Sequence, residues 1–399
     1  MLTEIEYKKI NNSLNLLLNF LKKVDYKGWD VYDGLNSKLF KLSPFYKSSI
    51  LRLIWIQFFK RSPINFRKIA LVPKGCSPKG KALFASSFIR LNFLEKAKSF
   101  LEELEEIGCR KYGGISWGYD FDWESRAFFV PAGEPNIVST VFVANAFLDY
   151  FEIVTNKKDK KFLEIAYKAC EFILKNLIVY EDKDILCFGY VRGKDVRVHN
   201  ANMLGASLLA KVYKYTNEKK FFEKSLKSMK YSLKALREDY SWTYGERSHH
   251  QFVDNFHTGF NLVALYDWMS YTGHFFWEEE LKKAYEYFLT NFWLNAGCPK
   301  YYNNSLYPID IHCSAQGVIT CIKLRELNTN SINLAKKILL WTIDNMQDKK
   351  EGYFYYQKTK MFTKKIPYIR WSQAWMLYAF AIFLDFVNKN KEEKNENMV

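Results

Sequence analysis

Three carboxylates alternate with aromatic residues in the stretch GYDFDWESRAFF, residues 118–129. In an extended strand, Asp120, Asp122 and Glu124 would project to the same side, next to Tyr119 and Trp123. Carboxylic acids can donate and accept protons in catalysis, and aromatic faces can stack on a sugar ring. A strand edge whose acids only face water would show the same pattern. The spacing therefore predicts either a solvated edge or one wall of a sugar-binding cleft.

Five of the six histidines lie in, or just after, long connections between predicted helices. In DNFHTG, Asp254 is a good N-cap for a helix, and His257 follows one turn later on the same face. There the carboxylate could orient the imidazole or raise its pKa. The motifs DIHC and RVHN place His312 and His199 at equivalent helix starts. Each helix-start acid has a purely structural alternative as a cap.

These residue types suit two kinds of reaction. Glycoside hydrolysis needs one protonated carboxylic acid and one ionised carboxylate on facing sides of the substrate, and the loop acids could supply both. Abstraction of the C5 proton of a uronate needs a base of near-neutral pKa and a cation beside the sugar carboxylate. The candidates for that cation are Arg126, Arg197 and Arg370.

The candidate catalytic residues are the acids and imidazoles of these connections: Asp120, Asp122, Glu124, Glu246, Asp254, His257 and His312. The candidate substrate-binding residues are the aromatic and polar side chains around them: Trp117, Tyr119, Trp123, Arg126, His199, Asn200, Trp242, Tyr244, His249, His250, Asp310, Arg370 and Trp371. No spacing of histidines, cysteines and acids resembles a standard zinc motif. We therefore expect neither a metal nor another cofactor.

Two kinds of helix alternate from about residue 79 onward. Helices that are apolar on nearly all sides begin near Lys79, Asn136, His199, Asn255, Ile311 and Arg370. Helices with one apolar stripe and one Lys/Glu face lie between them, at 93–107, 161–177, 219–237, 278–292 and 332–346. A helix that is apolar all round must be buried, and a striped helix can cover it. The pattern predicts an all-α (α/α)6 toroid of six helical hairpins, with short β-hairpins in the long loops on one face.

The long loops connect each striped helix to the next apolar one, so they should meet at one face of the ring. We expect irregular N-terminal helices at 1–60 that pack on the ring, the toroid at 61–387 as the catalytic domain, and a disordered tail at 388–399. Long loops in a compact domain tend to carry function. That face is therefore where we expect the site.

The composition limits which binding partners and which cellular compartment we expect for the protein. The net charge is +16, but lysines are spread along the chain without a run dense enough for a nucleic-acid site. Seven scattered cysteines fit a reducing compartment, and the first residues lack the features of a signal peptide, so we expect a cytoplasmic protein. The stretch 51–68 is apolar and then basic, which is typical of a buried helix or of a membrane-surface contact. We expect at most peripheral membrane association, and the pattern does not predict an oligomeric state.

The stretches WGYDFDWESRAFFVPAGEPNIVST and RWSQAWMLYAFA, within a six-hairpin pattern over residues 79–387, resemble the six-hairpin glycosidase superfamily of carbohydrate-active enzymes. These stretches are similar to members of that architecture found with surface-polysaccharide genes. The resemblance implies a glycoside hydrolase by default, acting on a polysaccharide or glycan intermediate, with uronate-containing substrates included. Polysaccharide lyases and uronate C5 epimerases share the ring, and the histidine and arginine content favours them as the alternative.

Two further classes of protein also fit the sequence. The double ring is also similar to terpenoid cyclases and protein prenyltransferase β subunits, in which an acid run protonates an isoprenoid. The run from Asp120 to Asp122 fits that comparison, but Trp123 follows in place of another acid and no Gln-Trp repeat is present. A non-catalytic glycan-binding protein would use the same aromatic residues without turnover.

Overall fold

The computed structural model describes residues 2–126 and 129–396. Its α-helices, in chain order, are α1 (Glu4–Lys23), α2 (Lys38–Leu42), α3 (Ser49–Arg61), α4 (Pro78–Arg90), α5 (Leu94–Glu106), α6 (Ile137–Asp149), α7 (Lys160–Asn176), α8 (His199–Thr216), α9 (Lys219–Lys234), α10 (Asn255–Thr272), α11 (Glu278–Asn291), α12 (Ile311–Lys323), α13 (Ser331–Met346) and α14 (Trp375–Glu396). Two π-helical turns, Tyr150–Val154 and Ile369–Ala374, follow α6 and precede α14.

The even-numbered helices from α4 to α14 form a closed inner ring. Each packs against the next, and α14 packs back against α4. The odd-numbered helices from α5 to α13 each cover one inner helix from outside, and α1 packs on α13 and α14 as the sixth outer helix. This is the predicted (α/α)6 toroid, with inner and outer helices within a few residues of their predicted positions.

The difference between the two layers follows from the sequence. In α4, every residue from Pro78 to Ile89 except Lys81 is buried, because apolar residues occur on all sides of the helix. In α9, burial is confined to one stripe that includes Phe221 and Met229, and the lysines point outward. A helix of the first kind needs cover on every side, which only a position inside the ring provides.

Short antiparallel β-hairpins occupy the long loops, as predicted. Strands β1 (Trp123–Glu124) and β2 (Phe129–Val130) pair between α5 and α6, and β3 (Ile178–Glu181) and β4 (Leu186–Phe188) pair between α7 and α8. Strand β5 (Ile309–Asp310), just before α12, pairs with β6 (Gln357–Lys358), which pairs with β7 (Thr363–Lys364). All of these loops lead from an outer to an inner helix, so they lie on one face.

The last helix differs from the predicted tail at 388–399. Helix α14 continues to Glu396, and residues 397–399 lie outside the described residues. The continuation is supported by a Lys389–Asp385 ion pair one turn apart and by the Lys391 ammonium, which lies 3.7 Å from the ring centroid of Tyr7. The division of the chain into three segments stays a prediction.

One helical stretch of the described chain, Ile137–Val154, is long and apolar enough to cross a membrane. It consists of α6 and the π-turn that follows it, and 67% of it is buried inside the structure. An inner helix of a protein ring has this composition because it is enclosed by other helices.

Buried ion pairs join the inner helices at the end away from the long loops. Asp149, the last residue of α6, accepts a hydrogen bond of 2.8 Å from Arg90 of α4 and lies 3.5 Å from the Lys211 ammonium of α8. Burial alone would raise the pKa of Asp149, but the charges of Arg90 and Lys211 outweigh it and lower the pKa. One carboxylate therefore holds three inner helices together.

Replacing Asp149 by Asn should lower the free energy of unfolding by about 3–5 kcal/mol, because Arg90 is then left buried without its counter-charge and Lys211 keeps only Glu152, 3.0 Å away. The lowered pKa means that Asp149 stabilises the fold above its unfolded pKa of about 3.9, and that this contribution is lost as the pH falls toward the folded value. Denaturant unfolding at pH 7 and pH 2 measures both effects. The matched control is Asp344→Asn, since Asp344 pairs with Lys9 at the surface and should contribute less than about 1 kcal/mol. Equal losses in the two variants would contradict the assignment.

Candidate functional site

A cavity of about 520 Å³ opens on the face where the inner helices begin. Lys79 of α4, Val138 of α6, Asn200 of α8, His257 of α10 and His312 of α12 all line it, and so do residues of the π-turn before α14. Five inner helices and the π-turn that precedes the sixth therefore contribute to one hollow. Helix α3 closes one side of the mouth through Leu53, Ile56, Gln57, Lys60 and Arg61.

The cavity brings together thirteen of the twenty predicted site residues: Tyr119, Trp123, Glu124, Arg126, Asn200, Tyr244, His249, His250, Asp254, His257, His312, Arg370 and Trp371. The other seven lie outside its lining: Trp117, Asp120, Asp122, His199, Trp242, Glu246 and Asp310. The catalytic and binding roles of all twenty stay predictions, while their positions are as follows.

Asp254 and His257 form a dyad at the start of α10. Asp254 is the N-cap; its Oδ1 accepts the backbone N–H of His257 at 3.0 Å, and its Oδ2 lies 2.7 Å from His257 Nδ1. The carboxylate is 2% exposed, whereas the imidazole is half-buried and lines the cavity. Nε2 of His257 has no hydrogen-bond partner among the described residues. A carboxylate in this position fixes the orientation of the ring and stabilises the imidazolium when it forms.

His312 is an imidazole enclosed by aromatic rings. It is 1% exposed, its ring stacks on Phe256 at 4.5 Å, and Trp371 meets it edge-on at 4.6 Å. Neither ring nitrogen has a hydrogen-bond partner within the described part of the chain. Burial, with the nearby charges of Lys79 and Arg370, holds the pKa of His312 well below its usual range, so the ring is neutral. Unpaired buried polar groups are rare in folded proteins, and this one faces a cavity that can hold a ligand.

Lys79, which the sequence analysis did not select, is a buried lysine at the same hollow. Its side chain is 4% exposed, and its ammonium lies 4.3 Å from the ring centroid of Phe142 and 5.1 Å from that of Trp375. No carboxylate pairs with it in the described ranges. Burial and the charge of Arg370 hold the pKa of Lys79 well below its usual range. The available signal was a lysine in the first turn of an otherwise apolar helix.

Two predicted groups of the cavity are already occupied by protein partners. Glu124 is 6% exposed and accepts a 2.7 Å bond from Arg52 Nε. Arg370 donates from Nε and Nη2 to the two oxygens of Asp30, both at 2.7 Å. Arg370 is therefore less available for a substrate carboxylate than the sequence analysis expected, because Asp30 already accepts hydrogen bonds from two nitrogens of its guanidinium group.

Asp122 is on the same face but is turned away from the cavity. Its Oδ2 lies 2.7 Å from Lys41 Nζ and accepts a 2.7 Å bond from the Tyr46 hydroxyl, and its Oδ1 accepts the Ala132 N–H at 2.8 Å. Burial alone would raise the pKa of Asp122, but these bonds outweigh it and lower the pKa. The side chain anchors the β1–β2 loop to the segment around α2.

Asp120 and Glu246 are exposed. Asp120 lines a separate cavity of about 130 Å³ with Asp30 and Asp33, and Glu246 accepts a hydrogen bond from the Tyr231 hydroxyl. Alternation in the sequence identified a strand that carries acids, but it could not tell which side of the strand faces the hollow.

The remaining predicted residues are part of the packed wall. The indole N–H groups of Trp117 and Trp242 donate to the backbone carbonyls of Leu104 and Ser232. His199 Nδ1 lies 3.3 Å from Ser232 Oγ, and burial lowers the pKa of this histidine to about 4. These buried side chains lie outside the cavity lining and belong to the packed core around it.

Asp310 positions two groups of the cavity from outside its lining. It is fully buried, caps α12 by accepting the backbone N–H of His312 at 2.9 Å, and accepts a 2.9 Å bond from the indole of Trp371. Burial raises the pKa of Asp310 to about 6. Among the described residues, no group of three or more His, Cys, Asp or Glu side chains is placed to hold a metal ion.

No family model matches the chain, and no curated protein matches it. Solved structures do match. A heparin-specific unsaturated glucuronyl hydrolase has a TM-score of 0.62 at 10% identity, over 96% of this chain and 98% of that one. A cellobiose 2-epimerase from Bacillus thermoamylovorans has a TM-score of 0.59 at 11% identity, over 78% and 86%. A GH76 α-mannanase from Bacteroides thetaiotaomicron has a TM-score of 0.57 at 12% identity, over 78% and 88%.

At these identities the likeness establishes the fold alone, the (α/α)6 toroid. The predicted link to surface-polysaccharide genes stays a prediction.

The buried environment of His312 can be measured directly. Because its pKa is held well below about 6.5, the ring should stay neutral and its Cε1 proton shift should not change between pH 8 and pH 6 in NMR spectra assigned with His312→Gln. The depressed pKa also means that His312 stabilises the fold above its unfolded pKa and that this contribution is lost as the pH falls. An inflection between pH 6 and pH 7 would show that the ring is hydrated and the cavity floor is open.

Proposed function

We propose that the chain is a carbohydrate-active enzyme that moves a proton at a sugar carbon, as an epimerase or a lyase does. The observation that carries the proposal is the pair of imidazoles in one cavity, one oriented by Asp254 and one held neutral without a partner. Both rings contact Phe256, His257 at 4.1 Å and His312 at 4.5 Å between centroids, so they lie near each other in the hollow.

The two imidazoles suit different parts of the reaction. His257 can accept a proton at Nε2 from a carbon next to a carbonyl or carboxylate group, because Asp254 stabilises the imidazolium that forms. The neutral His312 ring can donate a hydrogen bond from its N–H to the substrate oxygen on which negative charge develops. If His257 returns the proton to the other face of the carbon, the product is an epimer; if it gives the proton to a leaving oxygen, the product is an unsaturated sugar. Negative charge that develops on the substrate in between would lie near Lys79 and Arg370.

The cavity walls favour a sugar as the substrate. Trp123, Tyr244 and Trp371 line the hollow and offer aromatic faces and edges for a pyranose ring. The volume lies within the range of about 300–1,000 Å³ that is usual for small-ligand sites. The solved structures with this fold that are named above act on sugars by their own descriptions, which supports the class without fixing the reaction.

The unpaired Lys79 favours an acidic sugar. Burial disfavours the ammonium form of Lys79, which has no carboxylate partner among the described residues, and a uronate carboxylate bound beside it would stabilise that form. The proposed setting, surface-polysaccharide metabolism in the cytoplasm, rests on the sequence resemblance and on cysteines that are all free in the structure.

Glycoside hydrolysis is the second candidate, because Glu124 and Asp254 both line the cavity. It is less favoured, since Glu124 is held by Arg52 and Asp254 by His257, so that neither is placed as a protonated acid. A terpenoid substrate is less favoured still, because unpaired polar and cationic groups occupy the floor of the hollow.

The proton-transfer proposal is tested by incubating neutral and uronate-containing disaccharides with the enzyme in D₂O. The expected product carries solvent deuterium at one carbon or a new double bond. His257→Gln and His312→Gln should each lower turnover by about 10²- to 10⁴-fold, while calorimetric binding of the sugar is largely kept. The control is His274→Gln, on the opposite face of the ring.

A new reducing end without deuterium at carbon, lost in Glu124→Gln, would establish hydrolysis instead. Sugar binding without any turnover would establish a binding protein.

The preference for an acidic sugar is tested with Lys79→Met. Loss of the Lys79 amine should weaken binding of a uronate sugar by about 10- to 100-fold and leave the neutral analogue nearly unchanged. Because burial lowers the pKa of Lys79 and a bound carboxylate would raise it, binding should take up a proton, so affinity should increase as the pH falls from 9 to 6. The matched control is Lys81→Met, because Lys81 lies in the same helix and already pairs with Glu103. Equal loss for neutral and acidic sugars would contradict the role.

A further inference from the structure

The segment from residue 34 to residue 94 contains twelve lysines and arginines and no aspartate or glutamate. The whole chain has 59 basic and 43 acidic residues, with a net charge of +16. Most of the excess positive charge is therefore concentrated in this segment, which includes α2, α3 and the loop that leads to α4.

The same segment exposes many large apolar side chains. Among the described residues, Leu42 is 86% exposed, Ile69 is 73% exposed and Ile50 is 69% exposed. The full set, which we call the apolar face, is Leu39, Leu42, Phe45, Ile50, Ile54, Phe58, Ile64, Ile69 and Leu71. Scattered apolar residues are normal on protein surfaces, but a concentration of this kind marks a contact surface.

Helix α3 is apolar on two sides. Ile56 and Phe59 are buried and pack toward the body of the protein, whereas Ile50, Ile54 and Phe58 follow one another at intervals of four residues and face outward. Packing within the chain explains why the side with Ile56 and Phe59 is apolar, but not why the outward side is. The outward side borders a shallow groove lined by Leu53, Ile54, Gln57, Phe58, Arg61 and Ser62.

Along the chain, exposed cations alternate with members of the apolar face. Lys38 precedes Leu39 in the chain, and Lys68 precedes Ile69. Lys38, Lys47, Arg61 and Lys68 are exposed and have no ion-pair partner in the described part of the chain. A surface that is both aliphatic and cationic complements an anionic lipid bilayer, which takes apolar side chains below the headgroups and pairs lysines with them.

We propose that the apolar face docks on an anionic lipid bilayer. A second copy of the chain fits less well, because two such faces would bring like charges together. A nucleic acid would use the cations but not nine apolar side chains.

Docking there would place the candidate site at the membrane. Leu53, Gln57 and Arg61 line both the groove beside the apolar face and the mouth of the cavity. A glycan carried on a lipid could therefore reach the cavity without leaving the membrane surface. This statement about the substrate rests on the proposed function, whereas docking itself does not.

The test is co-sedimentation of the full chain with vesicles of phosphatidylcholine, with and without phosphatidylglycerol. We expect binding only to the vesicles that contain phosphatidylglycerol, and weaker binding at high salt. Ile50→Ser/Ile54→Ser should lower the vesicle affinity by at least about tenfold, and Lys38→Glu/Lys68→Glu should do the same and reduce the salt dependence. The matched control is Phe275→Ser, because Phe275 is 55% exposed, like Ile54 at 57%, but lies on the opposite face of the ring.

Circular dichroism melting confirms that each variant is folded. The proposal is overturned if folded wild-type protein fails to bind either vesicle, if Phe275→Ser weakens binding as much as the isoleucine pair, or if the isoleucine pair abolishes a dimer instead of vesicle binding. Each of these results is independent of enzymatic turnover, so failure of docking is distinguishable from failure of the proposed function.

Discussion

The whole structure depends on the need to enclose six helices that are apolar on nearly every side. Such helices are stable in water only when they pack on one another and a second layer covers them, and a closed ring satisfies both needs. Along the length of these helices there is little room for polar side chains. Charged and hydrogen-bonding groups are therefore concentrated at the two ends of the ring, and the two ends differ.

At the end away from the long loops, charges pair with one another, as Asp149 does with Arg90 and Lys211. At the other end, the helix starts need acceptors for their free N–H groups, and Asn136, Asp254 and Asp310 supply them. These caps place carboxylates beside the cavity, where Asp254 and Asp310 also hold His257 and Trp371. The partial positive charges of the helix N-termini add to the charges of Lys79 and Arg370. Helix capping and the proposed chemistry thus use the same residues.

The positions of the helices could be predicted because periodicity is a local signal. Predicted starts at Asn255 and Ile311 are the observed starts of α10 and α12, and the Asp254–His257 pair follows from the spacing of an N-cap. The site was less predictable, because it depends on partners far away in the chain. Asp122 is held by Lys41 and Tyr46, and Glu124 by Arg52, all from a segment that the periodicity did not connect to the ring. Lys79 was missed because most lysines are solvated, and only the packed ring shows that this one is enclosed.

The most direct measurement is the structure of the protein with a uronate-containing disaccharide bound. The account predicts a sugar carbon that lies between Nε2 of His257 and the ring of His312, with the sugar carboxylate within hydrogen-bond distance of Lys79 Nζ. A sugar bound outside this hollow, or one whose glycosidic oxygen lies against Glu124 with both imidazoles out of reach of any ring carbon, would contradict it.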